Sequence, residues 1–504
     1  MSDTTHPGGS SATAEGITLR RRLSPQDAQF YYLESDQAPM NIGSVAIFEG
    51  RISYEAFVRN VESKLDLIPR YRQRAVEAPF NLGRPTWEID PVFDITRHIR
   101  PLRLPWPGTE EQLAGLAAEL FRSRLDRRRP LWEMHFVEGL QEDRTALISR
   151  VHHCLVDGVG GVELLMVTLD VSPEPSAPPA PRAADPPSEP GRGQLLIDAV
   201  LDTLSERVDQ WAAVQEWVTD LAFGRYEGSR IGLRALGMTL GYATNPRDKL
   251  PFNQAFSGKR KFAFLELPFD ELRAVRVNCG GTINDLVLTI LAGALGRYAR
   301  CHAQDVEGAE ARVLVPVNVR QESERGTLGN RISMLMVEAP LGIPDPVQRL
   351  AVIRERTEAL KRERVAEGVS AVSNVLGALP AGLAAALGSL PGVPNVLANL
   401  VCTNVPGPMI PLYTVGHKML AHYPIVPIAW EMGVGCAVMS YNHKLYFGLA
   451  ADAKAAPDVD RLGGFIRDSY LELLTAAGVQ RAEARISEIG PPDAREKARP
   501  AAAA

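Results

Sequence analysis

From Ser172 to Gly193 about a third of the residues are proline, and no regular element can run through such a stretch. Proline removes a backbone donor and fixes φ, so the segment reads as an exposed, extended tether. It divides the 504-residue chain into a portion of about 170 residues and one of about 310, each able to bury its own core. The expected organisation is a disordered tail over 1–16, an N-terminal lobe over 17–171, a Pro-rich linker over 172–193, a C-terminal lobe over 194–490 and a second tail over 491–504.

Both portions alternate helix-like and strand-like periodicity, which predicts a mixed α/β fold. Ser53 to Leu67 reads as an amphipathic helix closed by Pro69, and Thr109-Glu110-Glu111-Gln112 as a capping box opening a helix that reaches about Leu125. The runs Trp132–Val137 and Thr145–Val151, joined by a short polar link, predict an antiparallel pair. After the double histidine described below, Val162–Val167 is helix-like. In the second portion, Leu195–Phe223 and Asp285–Ala299 read as helices. Phe262–Leu267, Arg312–Val317, Ser333–Ala339, Gly433–Tyr441 and Leu445–Ala450 read as strands. Two such lobes place a ligand channel between them.

Chemistry concentrates in His152-His153-Cys154-Leu155-Val156-Asp157-Gly158, where a strand opens into a loop and then a helix. An imidazole can take a proton from a hydroxyl near neutral pH and return it to a leaving group, which makes His153 a candidate general base with His152 in support. No Gly-x-Ser-x-Gly elbow supplies a nucleophile, so direct transfer is the simpler reading. Asp157 could orient the imidazole or pin the loop through an arginine. Its position four residues on, across a turn, favours the second. Gly158 would let backbone or substrate approach closely. By spacing alone, the same residues could equally form a hydrogen-bonded turn without catalysis. A metal site is disfavoured, because the pattern lacks two histidines four apart and no third ligand is evident. Cys154 could be a nucleophile, but its apolar neighbours Leu155 and Val156 give nothing to lower the pKa of its thiol.

The formal net charge of −5 gives no electrostatic case for nucleic acid. Five scattered cysteines with no CxxC pair fit neither a zinc site nor a disulfide framework, but do fit a reducing cytoplasm. No signal peptide or spanning helix is expected. The nearest candidate, Val369–Val401, is broken by Pro380, Pro391 and Pro394, and reads as a buried helix pair or as an apolar surface resting on lipid.

The HHCLVDG run resembles the HHxxxDG motif of CoA-dependent acyltransferases and condensation domains related to chloramphenicol acetyltransferase. Further segments resemble the bacterial wax ester synthase/acyl-CoA:diacylglycerol acyltransferase family: Leu23-Ser24-Pro25-Gln26-Asp27-Ala28 with Pro39-Met40-Asn41-Ile42-Gly43, then Pro130-Leu131-Trp132 and Asn284-Asp285. Pro316-Val317-Asn318-Val319-Arg320, Gly329-Asn330 and Thr403-Asn404-Val405-Pro406-Gly407-Pro408 follow in family order. The likeness spans about residues 20–480.

That resemblance implies two chloramphenicol-acetyltransferase-like lobes, each a mixed sheet with flanking helices, around a tunnel. It implies a long-chain acyl-CoA donor and a diacylglycerol or fatty-alcohol acceptor, with His153 as base, no covalent acyl-enzyme, no cofactor beyond the co-substrate and no metal. Asn284, supported by Asp285, becomes a candidate for binding the oxyanion or shaping its pocket, against the alternative that it caps a helix. Pro130, Leu131 and Trp132 would pack and aim the strand, or line the substrate site. Lys259 and Arg260, with Lys261, could meet CoA phosphates or form a solvated strand start. Asn404 would sit in a fixed turn between the lobes. His417, His422 and His443 read as structural or surface residues. A peripheral place on the inner membrane face or on lipid droplets follows as an expectation, aided by Arg20-Arg21-Arg22 and Arg127-Arg128-Arg129. The alternatives are a condensation-type acyltransferase acting on an amine or sugar, and a non-catalytic droplet-surface protein.

Overall fold

The computed structural model describes residues 21–77, 84–155, 169–174, 237, 249–318, 332–363, 398–429 and 431–481. The expected helices Val162–Val167 and Leu195–Phe223, the linker and most of Val369–Val401 lie outside them. In chain order the first part holds β1 (Arg21–Arg22), α1 (Pro25–Leu33), β2 (Asn41–Phe48), α2 (Tyr54–Lys64), β3 (Gln73–Val76), β4 (Thr86–Ile89), β5 (Ile99–Arg103), α3 (Glu110–Phe121), β6 (Trp132–Leu140) and β7 (Arg144–His152). The second holds β8 (Arg260–Pro268), β9 (Glu310–Asn318), β10 (Ile332–Pro340), β11 (Leu400–Val405), β12 (Tyr413–Thr414), β13 (His417–Ile425), β14 (Val434–Tyr441) and β15 (Lys444–Asp452). Its helices are Phe269–Cys279, Ile283–Cys301, Pro346–Arg362 and Val459–Ala476.

Two six-stranded mixed sheets carry the molecule, in the orders β12-β13-β2-β7-β6-β5 and β10-β9-β11-β14-β15-β8. The mixed α/β expectation holds, and the antiparallel pairing of β6 with β7 is as the short link requires. One feature departs from a division at the linker. Strands β12 and β13 belong to the C-terminal part of the chain, yet β13 pairs antiparallel with β2 in the N-terminal sheet. The lobe boundary at 172–193 is corrected accordingly, since residues 413–425 cross back. They are held there from the second sheet: the Tyr441 hydroxyl donates to the Met419 carbonyl and the Tyr446 hydroxyl to the Leu420 carbonyl, each at 2.9 Å. Local periodicity cannot report such a crossing, because a strand carries no mark of which sheet it will join.

Local signals explain the elements nearest the histidines. Ser24 caps α1 by accepting from the Asp27 amide at 3.0 Å, and Pro25 takes the first turn, where its missing N–H costs nothing. Thr109 and Gln112 make the expected capping box on α3. That helix stops at Phe121, short of Leu125, because Arg150 on β7 reaches the carbonyls of Leu120 and Ser123 and the Asn41 side chain also takes Ser123. β2 runs between β13 and β7. A Cβ at Gly43 would lie 2.0 Å from the Ser149 carbonyl, so only glycine permits that closeness. Each sheet buries its own apolar cluster, and Phe262 and Phe264 of β8 join the cluster of the first.

Candidate active site

β7 delivers the double histidine. His152 is its last residue and lies opposite Asn41 on β2. Its amide donates to the Leu131 carbonyl at 2.9 Å and that of His153 to the Met40 carbonyl at 2.8 Å, so both residues are fixed through their backbones. The two side chains then part company, as successive positions at a strand end must.

His152 is fully buried. Its Nδ1 accepts from the Cys154 amide at 3.1 Å, which leaves the proton on Nε2 facing the Glu34 carboxylate at 3.5 Å. Glu34 has a fully buried side chain, accepts from the Met40 amide at 3.2 Å and pairs with Arg127 at 3.1 Å. Burial alone would raise its carboxyl; His152, the Met40 amide and Arg127 outweigh that and hold it below the usual carboxylate range. His153 keeps part of its surface accessible while its ring stacks on Phe30, centroids 3.9 Å apart and nearly parallel. Burial pushes its imidazole down to about 4, and the neighbouring His152 acts in the same direction. His153 is therefore neutral at physiological pH.

Phe30 and Glu34 are four residues apart, on one face of α1 and its cap, so a single short helix holds both rings. Sequence reasoning missed Glu34 and Phe30. The Ser24-Pro25 start of α1 was the available signal, but nothing local ties that helix to a histidine pair over a hundred residues away.

Asp157 and Gly158 lie outside the described residues. Trp132 is buried, stacks on Tyr71 and His98, and donates from Nε1 to the Tyr71 carbonyl at 2.8 Å. Leu131 is fully buried. Of the two roles open to Pro130, Leu131 and Trp132, this burial favours packing and aiming the strand: Trp132 opens β6, and the Leu131 carbonyl holds the His152 amide. The cap of the helix Ile283–Cys301 is Thr282, not Asn284. The buried Asp285 carboxylate accepts from the Thr282 amide, the Thr282 hydroxyl and the Thr357 hydroxyl, each at 2.8 Å. Neither Asn284 nor Asp285 makes a hydrogen bond to the histidines among the described residues. Asn404 stands near the end of β11, and the turn after it is fixed where the Gly407 amide donates to the Ser440 hydroxyl at 3.0 Å.

Lys259 is exposed. Arg260 is not a solvated strand start. Its side chain is 4% exposed, 3.6 Å from Asp452, and donates to the Gln37 carbonyl at 2.7 Å. Lys261 pairs with Asp460. Burial pushes the Cys154 thiol well up, which removes it as a nucleophile. His422 is buried against the Met439 sulfur, while His417 and His443 are on the surface. Among the described residues one group has metal-ligand spacing, Cys301, His302 and Asp458. It lies at the end of a second-lobe helix, and Asp458 already accepts from the Tyr298 hydroxyl at 2.6 Å.

A buried histidine and a neutral, partly accessible one side by side can remove a proton from a small nucleophile and return it. Residues 23–287 match the family model of the wax ester synthase/diacylglycerol acyltransferase catalytic domain, and residues 328–474 that of the WS/DGAT C-terminal domain. The chain is 30% identical over 458 residues to the Mycobacterium tuberculosis (strain H37Rv) protein named probable diacylglycerol O-acyltransferase tgs1, covering 90% of this chain and 95% of that one. It is likewise 30% identical over 472 residues to the protein named tgs2 of the same organism, covering 91% and 99%. The fold is similar to the wax ester synthase/diacylglycerol acyltransferase from Marinobacter aquaeolei VT8, with a TM-score of 0.64, 23% identity and coverage of 91% and 100%. It is also similar to the first condensation domain of the calcium-dependent antibiotic synthetase, with a TM-score of 0.59, 15% identity and coverage of 91% and 96%.

Proposed function

The chain belongs to the wax ester synthase/diacylglycerol acyltransferase family, and from that premise we propose that it moves a long-chain acyl group from acyl-CoA to the hydroxyl of diacylglycerol or a long-chain fatty alcohol, with His153 as general base. The observation that carries the reading is the pairing of a neutral, partly accessible His153 with a buried His152 inside the matched catalytic segment. His153 takes the acceptor proton, and the oxygen attacks the thioester carbonyl. The tetrahedral intermediate then expels the CoA thiolate, and the imidazolium returns the proton to sulfur. An imidazolium of low pKa is a strong acid toward a thiolate, the conjugate base of a weakly acidic thiol. Asn284 remains a candidate to meet the oxyanion, and Asn404 and Lys259 to line the acyl-CoA site. Asp157 and Gly158 would finish the loop that presents the base.

Among the described residues no single helix is long and apolar enough to cross a membrane. The water-insoluble acceptors support action at a lipid surface, either a membrane face or a droplet, as a peripheral protein.

Purified protein given palmitoyl-CoA with hexadecanol, with diacylglycerol or with a long-chain amine is expected to make ester from at least one alcohol. Product from the amine alone would establish a condensation-type reaction instead. The pH dependence is a second check. His153 must be uncharged to act, so kcat/KM should stay level from pH 6 to 8 and fall only as pH drops toward about 4. An acid limb centred near ~6.5, the ordinary imidazole value, would contradict the buried environment assigned to this ring.

A further inference from the structure

The two histidines hang from one turn. Residues 34–40 supply the Glu34 carboxylate to His152 and the Met40 carbonyl to the His153 amide. Ser35 and Ala38 close the turn with mutual backbone hydrogen bonds of 3.2 Å. The first lobe holds it through Arg127 on Glu34 and Arg124 on Asp36. At its tip, the Gln37 carbonyl accepts from Arg260 at 2.7 Å, and Arg260 belongs to the second lobe.

Arg260 is itself firmly set. Asp452, fully buried, lies 3.6 Å from its Nη1. The same carboxylate accepts from the Ser257 amide and hydroxyl, the Gly258 amide, and the Lys454 and Ala455 amides, all between 2.9 and 3.2 Å. Gly258, at φ +78°, lies against Gln37: a Cβ there would sit 3.9 Å from the Gln37 Cα. A rigid corner of the second lobe thus presses one guanidinium onto the turn that carries both histidine contacts.

We infer that Arg260 is a positioning residue, acting on His152 and His153 through the 34–40 turn rather than by touching substrate. The inference rests on the acyl-transfer reading only for its kinetic arm. Displacing a catalytic base by about 1 Å costs on the order of 10²-fold in rate, so loosening this turn registers in kcat. A guanidinium that bound the phosphates of CoA would register in the KM for acyl-CoA.

The experiment compares wild type, Arg260→Gln, Arg260→Lys and Asp452→Asn, each with palmitoyl-CoA and with the palmitoyl thioester of N-acetylcysteamine, which lacks the nucleotide phosphates. Arg260→Gln should lower kcat about 10- to 100-fold equally with both donors, leave KM within about twofold, and be partly rescued by Arg260→Lys. In parallel, backbone amide exchange should accelerate over 150–155 and remain unchanged over 434–441. A loss confined to acyl-CoA and expressed as KM assigns Arg260 to phosphate binding and overturns the inference. So do unchanged kcat and unchanged exchange. If Arg260→Gln fails to fold, Arg260→Lys and Asp452→Asn carry the same comparison. Wild type inactive with both donors is a failure of the acyl-transfer reading; the exchange measurement then still decides whether Arg260 holds the turn.

Discussion

Replacing His153 by alanine is expected to lower ester formation by about 10² to 10⁴-fold, the range that general acid–base groups contribute, while leaving the thermal midpoint within a few degrees of wild type. The ring contributes a stack on Phe30 and part of its surface stays accessible, so the fold loses little with it. His152→Ala should behave in the opposite way. That ring is wholly interior, accepts from the Cys154 amide and faces a buried carboxylate, so its loss opens a polar cavity and lowers stability first. Rates measured beside melting curves for the two variants separate a catalyst from a support. Full activity in a folded His153→Ala protein would remove the general-base assignment, whereas unmodified protein that binds droplets but forms no ester from any acyl-CoA would favour the droplet-surface reading.

The second large effect is expected at Glu34. Glu34→Gln keeps the shape of the side chain but removes a charge that faces His152 at 3.5 Å and Arg127 at 3.1 Å. Breaking a buried pair from one side typically costs about 3–5 kcal/mol, because the partner is left uncompensated. At roughly 2–4 °C per kcal/mol for a lobe of this size, the thermal midpoint should fall by on the order of 10 °C. Activity should fall with it, since the same turn carries the Met40 carbonyl that holds His153. An unchanged midpoint would show that the pair is not formed. The sign of the pH dependence follows. The Glu34 carboxyl is depressed in the folded protein, so its stabilisation is present above the unfolded value near ~4.3 and lost as pH falls through the folded one. His153 adds to the loss over a higher window. Between about 6.5 and about 4 the unfolded chain binds a proton that the folded ring does not, so stability drops with pH there as well.

Where a segment's own pattern controls its state, the sequence was enough. The α3 capping box and the β6–β7 pair stand as expected, and the strand readings and the Asp285–Ala299 helix of the second lobe stand within a few residues. Segments whose state depends on distant partners were not legible. No strand is expected from the sequence over 41–48 or 417–425, where β2 lies between two strands and β13 pairs with β2 across the chain. Arg260 read as a solvated cation because its neighbours are two lysines and a glycine. Its partners, Gln37 and Asp452, are each roughly two hundred residues away. Trp132 offered an aromatic that suits either a core or a substrate site, and only its stack on Tyr71 and His98 decides for the core.

The sequence by itself determined the chemistry available: two adjacent histidines at the end of a strand, no alternative nucleophile beside them, and an ordered set of companions shared with lipid-ester-forming acyltransferases. The sequence already named His153 as candidate base and His152 as support; the tertiary structure gave the two rings their different surroundings. Side chains alternate at a strand end, so one imidazole had to enter the interior and the other to emerge. Glu34 and Phe30, brought from α1 by the fold, face the first ring and stack on the second. Proton affinity depends on burial and on charges within a few ångströms, and neither is encoded in the residues adjacent along the chain.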